Sequence, residues 1–309
     1  MIRRTIPALS VFAFVFLSCA TASPRVEEQE ASYLQTQDGA LLHYRKIGDG
    51  PEVLLVPADN WMGQDLDGLA RGRTVIFYDL RGRGRSDRTF AARFEQDLED
   101  LQYVADWFQL ERFSLLGFDY QAALSAHYAA LHPQRVERLV LVSPIPPRKF
   151  PYWAIYERVW SERRGGEVEK LREMKRSGLP RKDPEAWAEA YVNAMLSGWV
   201  AEASALRRMK SRPVVPPNMD PERLVRQYLG MLRDLGEWDW RDIATLVACP
   251  TLVIAGERDP MPSDTFQEWA SKIPEGRLRL IGGSGRLPWI EDSKTFYESV
   301  ERFLDGDGV

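Results

Sequence analysis

The sequence has 309 residues, of which 44% are hydrophobic and 28% are charged, a composition typical of a globular protein. This length allows one large α/β domain with an insertion, or two small domains. The formal net charge of −4 argues against a basic nucleic-acid-binding face, so no nucleic-acid partner is expected.

The first 22 residues have the features of an export signal. Two arginines precede an apolar run over residues 6–17, which is too short to cross a bilayer and fits the apolar region of a signal peptide. Cys19 follows this run as in a bacterial lipoprotein, so we predict that Cys19 is lipidated and anchors the protein to a membrane of the cell envelope. Ordinary cleavage after residue 22, which would give a periplasmic or secreted protein, is the alternative. Residues 23–32 are polar and acidic and predict a short tether.

Strands and helices alternate over residues 33–143, the first part of the predicted core. Short runs of β-branched or aromatic residues predict the strands, and apolar residues at helical spacing predict the helices. This alternation indicates a parallel sheet covered by helices on both faces. The predicted strands are 41–45, taken as the first of the sheet, 53–56, 74–78, 113–116 and 139–142, and the predicted helices are 95–108 and 120–131.

The pattern changes over residues 144–243, which contain no convincing strand and six of the ten tryptophans. Prolines flank two predicted helices, over 152–175 and 184–210, so we predict a helical cap that packs over the sheet. Alternation resumes over residues 244–309, the second part of the core. Its predicted strands are 251–255 and 277–281, and its predicted helices are 263–272 and 293–304.

Residues 115–122 predict a strand, a sharp turn at Asp119 and a helix. A residue on such a turn points outward at the top of a parallel sheet and faces a helix N-terminus, which favours negative charge. In this context the chain resembles the α/β-hydrolases, most of all the capped subgroup that includes proline iminopeptidases. Four further segments resemble the family in the same order: 78–87, 132–141, 249–259 and 283–292.

The resemblance implies an α/β-hydrolase fold with a catalytic triad, but two triad positions depart from the family pattern. Asp119 stands at the nucleophile position, where Gly-x-Ser-x-Gly is usual, and Gln121 replaces the second glycine. Arg286 stands at the histidine position, and only Asp259, at the acid position, matches. The oxyanion-loop positions are Pro57, Ala58 and Tyr120, and the neighbouring Asp59 is expected to place a carboxylate where an oxyanion would form.

These departures have chemical consequences. Haloalkane dehalogenases and epoxide hydrolases share the fold and use an aspartate nucleophile, but the ester formed on that aspartate needs a general base for its hydrolysis. Arg286 cannot be this base, since a guanidinium stays protonated. The three histidines, His43, His127 and His132, are expected to be structural, and the resemblance implies that His43 lies far from the loops around Asp119.

We therefore expect Arg286 to bridge Asp119 and Asp259 in an inert, salt-bridged site. A catalytically impaired relative of the hydrolases would then bind a small ligand or a partner in the cleft between cap and core. In the alternative, Asp119 supports a non-standard hydrolysis of an ester, peptide, halide or epoxide, with Arg286 gripping an anionic substrate. A third possibility is a scaffold protein in which the ion pairs close the substrate pocket implied by the resemblance. We predict no cofactor and no metal site.

Overall fold

The computed structural model describes residues 32–88, 93–211 and 221–307, apart from the side chains of Leu224 and Gln227. The predicted signal, Cys19 and nearly all of the predicted tether lie outside the described residues. None of the helices in these ranges is both long and apolar enough to cross a membrane.

Eight strands of the described residues form one sheet in the order β1-β2-β4-β3-β5-β6-β7-β8. β1 and β2 pair antiparallel with their neighbours, and every other pair is parallel. Every residue of β4 and β7 is buried, as expected for central strands covered on both faces. The strands are β1 Ser32–Gln35, β2 Leu41–Ile47, β3 Val53–Val56, β4 Thr74–Tyr78, β5 Phe113–Phe118, β6 Val136–Val142, β7 Thr251–Gly256 and β8 Gly276–Ile281.

Helices cover the sheet because each turns an apolar stripe towards it. The helices of the core are α1 Asp59–Met62, α2 Phe94–Trp107, α3 Tyr120–Leu131, α9 Arg241–Thr245, α10 Ser263–Lys272, α11 Pro288–Glu291 and α12 Ser293–Leu304, with a 3-10 helix at Gln64–Ala70. Those between β6 and α9 are α4 Tyr152–Arg163, α5 Gly165–Arg176, α6 Leu179–Lys182, α7 Pro184–Leu196 and α8 Pro221–Asp234, with a 3-10 helix at Ala203–Arg208.

Two predicted helices were wrong in extent. The segment 152–175 is two helices that meet at Arg164, because Gly165 and Gly166 follow and glycine weakens a continuous helix. The segment 184–210 is helical only to Leu196 and from Ala203 to Arg208. At Gly198 a side chain would lie 2.4 Å from Trp160 Cδ1, so the chain turns there against the neighbouring helix.

The strand predicted over residues 41–45 is not the first of the sheet. β1 precedes it and pairs with it from Ser32 to Gln35, so the predicted tether ends inside a strand. Four residues with two exposed side chains carry too little apolar alternation to indicate a strand, and pairing with β2 supplies the missing hydrogen bonds.

Candidate functional site at the carboxyl edge of the sheet

Asp119 lies at the turn between β5 and α3, with φ 54° and ψ −119°. This backbone conformation is rare outside glycine and is held in place by its neighbours. The Asp119 N–H donates to the Val142 carbonyl at 3.1 Å, and a side chain at Gly117 would lie 2.3 Å from the Gln121 carbonyl oxygen. The turn therefore needs Gly117, and the buried Gln121 fits in the first turn of α3.

Asp259 and Arg286 come from two loops at the same edge of the sheet. Asp259 follows β7, and its Oδ1 accepts the Met261 N–H at 2.8 Å, which fixes the carboxylate. Arg286 lies on the loop after β8 and has no exposed surface. The carboxyl ends of β5, β7 and β8 thus bring the three triad positions together, as expected for parallel strands.

The guanidinium of Arg286 bridges the two carboxylates. Its Nη1 donates to Asp259 Oδ1 at 3.0 Å and to Oδ2 at 3.1 Å, and its Nη2 donates to Asp119 Oδ1. The contacts expected from the sequence are present, and all three side chains are almost fully buried. A planar fork of donors occupies the position that the family resemblance assigns to a histidine.

Tyr228 also contacts Asp119, and the sequence analysis missed it. This residue lies on α8, is partly buried, and its hydroxyl donates to Asp119 Oδ2. Both carboxylate oxygens of Asp119 therefore have a donor. No sequence motif marks Tyr228, because its place depends on how α8 packs over a turn 109 residues away.

Burial and the neighbouring charges together set the pKa values of Arg286, Asp259 and Tyr228. Burial alone would lower the pKa of Arg286, but the charges of Asp259 and Asp119 raise it above its usual value. Burial raises the pKa of Asp259, and the charge of Arg286 opposes this. Burial and the charge of Asp119 raise the pKa of Tyr228 well above its usual value. Arg286 and Tyr228 thus stay protonated at neutral pH, and neither can accept a proton from water.

Aromatic rings surround the guanidinium of Arg286. Its central carbon lies 5.5 Å from the ring centre of Tyr156, 5.7 Å from that of Trp199 and 5.9 Å from that of Phe118, distances typical of cation–π contacts. The Trp199 carbonyl also accepts the backbone N–H of Arg286 at 2.8 Å. The cap therefore holds Arg286 through both its side chain and its backbone.

Glu291 fixes the loop that carries Arg286, and it too was missed from the sequence. Its carboxylate accepts the backbone N–H groups of Ala201 at 2.6 Å, Gly285 at 2.9 Å and Leu287 at 3.3 Å. Two of these amides flank Arg286 in the chain, and the third belongs to the segment after Trp199. A single partly buried side chain thus ties the loop to the cap.

The strands β3 and β5 are parallel neighbours, so the oxyanion-loop positions that follow them lie at the same edge of the sheet. Pro57 and Ala58 are buried after β3, and Ala58 is the N-cap of α1. Tyr120 is the first residue of α3, so its N–H has no acceptor within the helix. The neighbouring Asp59 is paired with two arginines: its Oδ1 accepts a hydrogen bond from Arg45 Nε at 3.1 Å, and its Oδ2 lies 3.4 Å from Arg85 Nη1.

His43 is closer to the oxyanion loop than the sequence indicated. Its Nδ1 lies 3.5 Å from Asp59 Oδ2 and 3.6 Å from Asp79 Oδ2, and all three side chains are buried. Burial lowers the pKa of His43, whereas burial and the charge of Asp59 raise the pKa of Asp79 to about 7. Because β2 pairs with β4 and β4 with β3, the fold brings His43 alongside the loops that follow both strands.

The other two histidines lie along or beyond α3. His127 Nδ1 is 2.8 Å from the Ala123 carbonyl, and its ring contacts Phe94 and Trp240. His132 is the C-cap of α3, at the end away from Asp119, and packs against Tyr128. Among the described residues, the side-chain partners of Asp119 are Arg286 and Tyr228, and neither is a histidine.

A family model described as the alpha/beta hydrolase fold matches residues 57–293. The chain therefore belongs to the α/β-hydrolase fold family. Its eight-stranded, mostly parallel sheet flanked by helices is the architecture expected for this family.

Individual relatives fit this assignment. The uncharacterized protein Rv2715 of Mycobacterium tuberculosis is 28% identical over 290 residues, covering 88% of this chain and 80% of that protein. A proline iminopeptidase of Heyndrickxia coagulans is 23% identical over 253 residues, covering 78% of this chain and 84% of that enzyme. The crystal structure of the proline iminopeptidase of Mycobacterium smegmatis matches with a TM-score of 0.58 and 25% identity, covering 89% and 98% of the two chains.

Proposed function

We propose that this chain is a catalytically silent member of the family, which acts by binding and not by hydrolysis. The observation that carries the proposal is the position of Arg286, which spans Asp119 and Asp259 where a general base would be required. Arg286 can neutralise the two carboxylates, but it cannot shuttle a proton. In this proposal the chain keeps the fold of the family, and an ion-pair network takes the place of the catalytic groups.

The proposal follows from what hydrolysis would need at this site. An ester formed on Asp119 is hydrolysed only when a base activates water near it. The groups that contact Asp119 are Arg286 and Tyr228, both protonated at neutral pH. An ester on Asp119 would therefore persist, and turnover would stop after one event.

The alternative, in which Asp119 itself attacks or activates water, has less support from the geometry. Each oxygen of Asp119 accepts a hydrogen bond, one from Arg286 and one from Tyr228, and the residue is 4% exposed. A carboxylate held in this way is a weaker nucleophile and a weaker base than a free one. Arg286 in turn is paired with two carboxylates, which leaves less of its charge for an anionic substrate.

For the ligand, we propose an apolar or cyclic small molecule that binds between the cap and the core. Aromatic side chains from both parts support this: Trp61 and Trp199 have ring centres 5.3 Å apart, and Phe118 lies 5.9 Å from Trp199. Such rings supply large contact areas, while Trp and Tyr add polar groups that orient a ligand. Replacing Trp61, the partly exposed member, with alanine is expected to weaken such binding without unfolding the protein.

For the location, we propose that the protein is exported and anchored to the cell envelope by a lipid on Cys19. The support is the basic and apolar order of the first residues followed by a cysteine.

Restoring the base tests the proposed loss of chemistry. The double variant Asp119→Ser/Arg286→His has a serine, an aspartate and a histidine at the triad positions, and its matched control is Asp119→Ser/Arg286→Gln, which has the nucleophile without the base. General-base assistance is typically worth about 10²–10⁴-fold, so we expect the first variant to hydrolyse p-nitrophenyl acetate at least ~100-fold faster than the second. Equal rates in two folded variants would mean that the missing base is not what silences the site.

A further inference from the structure

Three buried side chains outside the triad group converge beside the oxyanion loop. His43 comes from β2, Asp59 is the first residue of α1, and Asp79 follows β4. One atom from each, His43 Nδ1 and one oxygen of each aspartate, lies within 4.8 Å of the other two. The two distances from His43 Nδ1, 3.5 Å and 3.6 Å, are too long for strong hydrogen bonds.

The imidazole of His43 is the unusual member of this cluster. Both of its ring nitrogens are buried, and in the part of the chain that the structure describes neither has a hydrogen-bond partner. Buried polar groups in folded proteins nearly always have a partner, since an unsatisfied one costs about 1–3 kcal/mol. Nδ1 faces two carboxylate oxygens at a distance that leaves room for an atom between them.

We propose that His43 Nδ1, Asp59 Oδ2 and Asp79 Oδ2 bind one divalent transition-metal ion such as Zn²⁺. Zinc binds imidazole nitrogen and carboxylate oxygen at about 2.0–2.2 Å, so ligand atoms in a tetrahedral site lie about 3.4 Å apart. The separations of 3.5 Å and 3.6 Å from His43 Nδ1 are close to this value. One nitrogen and two oxygens suit zinc better than Ca²⁺ or Mg²⁺, which prefer oxygen alone.

Neighbouring groups hold the ligands in place. Arg45 Nε donates to Asp59 Oδ1 at 3.1 Å, and the Asn60 N–H donates to Asp79 Oδ1 at 2.7 Å, so the second oxygen of each carboxylate is turned towards His43. The backbone N–H of Arg85 donates to Asp79 Oδ2 at 2.8 Å. This oxygen keeps another lone pair for the ion. Such contacts orient metal ligands in known metal sites.

Arg85 is the group that an entering ion must displace. Its Nη1 lies 3.4 Å from Asp59 Oδ2, but its side chain is 46% exposed and can turn into solvent. The space that it leaves offers a path for the ion and a place for water as the fourth ligand. Arg45 does not need to move, because it is also paired with Asp67 at 2.8 Å.

The ion would have a structural role. It would join β2 to the loop after β3 and to the loop after β4, and so fix the segment that contains Pro57 and Ala58. A metal that binds only the folded protein stabilises it by mass action. This site does not depend on whether Asp119 is catalytically silent, because neither Asp119 nor Arg286 contributes a ligand.

The test uses the full-length protein, stripped with EDTA and titrated with ZnCl₂ by isothermal calorimetry, in a Cys19→Ala background that removes the proposed site of lipid attachment. We expect one equivalent to bind and the melting temperature to rise, with EDTA reversing both effects. His43→Gln and Asp59→Asn should each weaken binding at least ~10-fold. His132→Gln, at the histidine that caps α3, is the matched control and should bind zinc like the parent.

Absence of zinc binding by the parent protein, or equal affinity in the parent, His43→Gln and Asp59→Asn, would overturn the proposal. X-ray absorption of the zinc-loaded parent covers the case in which the variants fail to fold. The proposal requires one imidazole in the first coordination shell with oxygen ligands. A shell of oxygens alone, a shell with sulfur or a shell with two imidazoles would contradict it.

Discussion

At position 286 an arginine stands where the family resemblance implies a histidine, and the two side chains differ in what they do with a proton. Histidine gains and loses a proton near neutral pH, which is why it serves as a general base. The guanidinium of Arg286 stays charged, and its two carboxylate partners raise its pKa further. The same position thus supplies a fixed charge and a planar set of donors that hold Asp119 and Asp259 together.

Removing this charge is expected to destabilise the protein. Arg286→Gln would leave Asp119 and Asp259 buried without their cation, and breaking a buried pair in this way typically costs about 3–5 kcal/mol. The free energy of unfolding from urea denaturation measures the effect. Arg279→Gln, at an exposed arginine of β8, is the matched control and should change stability by about 0.5 kcal/mol or less. Equal stability in the two variants would mean that Arg286 does not hold the carboxylates.

Among individual residues, those that belong to a motif could be placed at the site from the sequence, and those outside a motif could not. Asp119, Asp259 and Arg286 each lie in a segment with a recognisable family pattern, so their meeting at one edge of the sheet could be expected. Tyr228 and Glu291 reach the site through packing between distant segments. No local pattern encodes such packing, and the same reason explains why the carboxylate of Asp59 faces His43.

Among the elements, the turn between β5 and α3 is the most constrained. A Cβ at Gly117 would lie 2.3 Å from the Gln121 carbonyl oxygen and 2.7 Å from the Ala122 Cα, both of them backbone atoms that cannot move aside. The strand and the helix therefore approach each other through this glycine. This close approach allows Asp119 to stand at the top of the turn.

Gly117→Ala is thus expected to lower stability by about 1–3 kcal/mol, the usual range for overpacking. The melting temperature and urea denaturation measure the change. Gly166→Ala is a control of opposite sign, because nothing lies within 4 Å of its added methyl group and alanine favours a helix over glycine by up to about 1 kcal/mol. A Gly117→Ala variant as stable as the parent would show that the turn can widen.

The core elements were predicted well because their apolar runs are long and their order matches the resemblance. The helix at Tyr120–Leu131 and the strands at Val53–Val56 and Thr74–Tyr78 have the predicted bounds. The cap was less well predicted, since amphipathic spacing continued across Gly165 and beyond Leu196, where the chain turns. Two glycines interrupt the first of these segments and a contact between Gly198 and Trp160 accompanies the turn after the second, and hydrophobic periodicity alone predicts neither break.

Across the whole molecule, the cap and the core are joined at the site. Tyr228 donates to Asp119, the Trp199 carbonyl accepts the Arg286 N–H, and Glu291 accepts the Ala201 N–H. Arg163 of α4 adds a hydrogen bond to the Arg258 carbonyl at 2.7 Å. In this arrangement the residues at the site join the two parts of the molecule.

The proposed anchor is a property of the whole protein, and detergent partition tests it. With a lipid on Cys19, the parent should enter the detergent phase of Triton X-114, and Cys19→Ala should stay in the aqueous phase. Cys249→Ala is the matched control, because Cys249 is buried in the core and should not affect partition. If Cys19→Ala partitions as the parent does, the protein is not a lipoprotein, and cleavage after residue 22 gains support.

The central claim, that the site is silent, is tested most directly by steady-state turnover of the parent protein. The substrates are an activated ester, proline p-nitroanilide, a haloalkane and an epoxide, with Asp119→Asn as the matched variant. With Arg286 and Tyr228 holding both oxygens of Asp119, we predict rates equal to those of Asp119→Asn for every substrate. Multiple turnover by the parent that is abolished in a folded Asp119→Asn variant would contradict the claim.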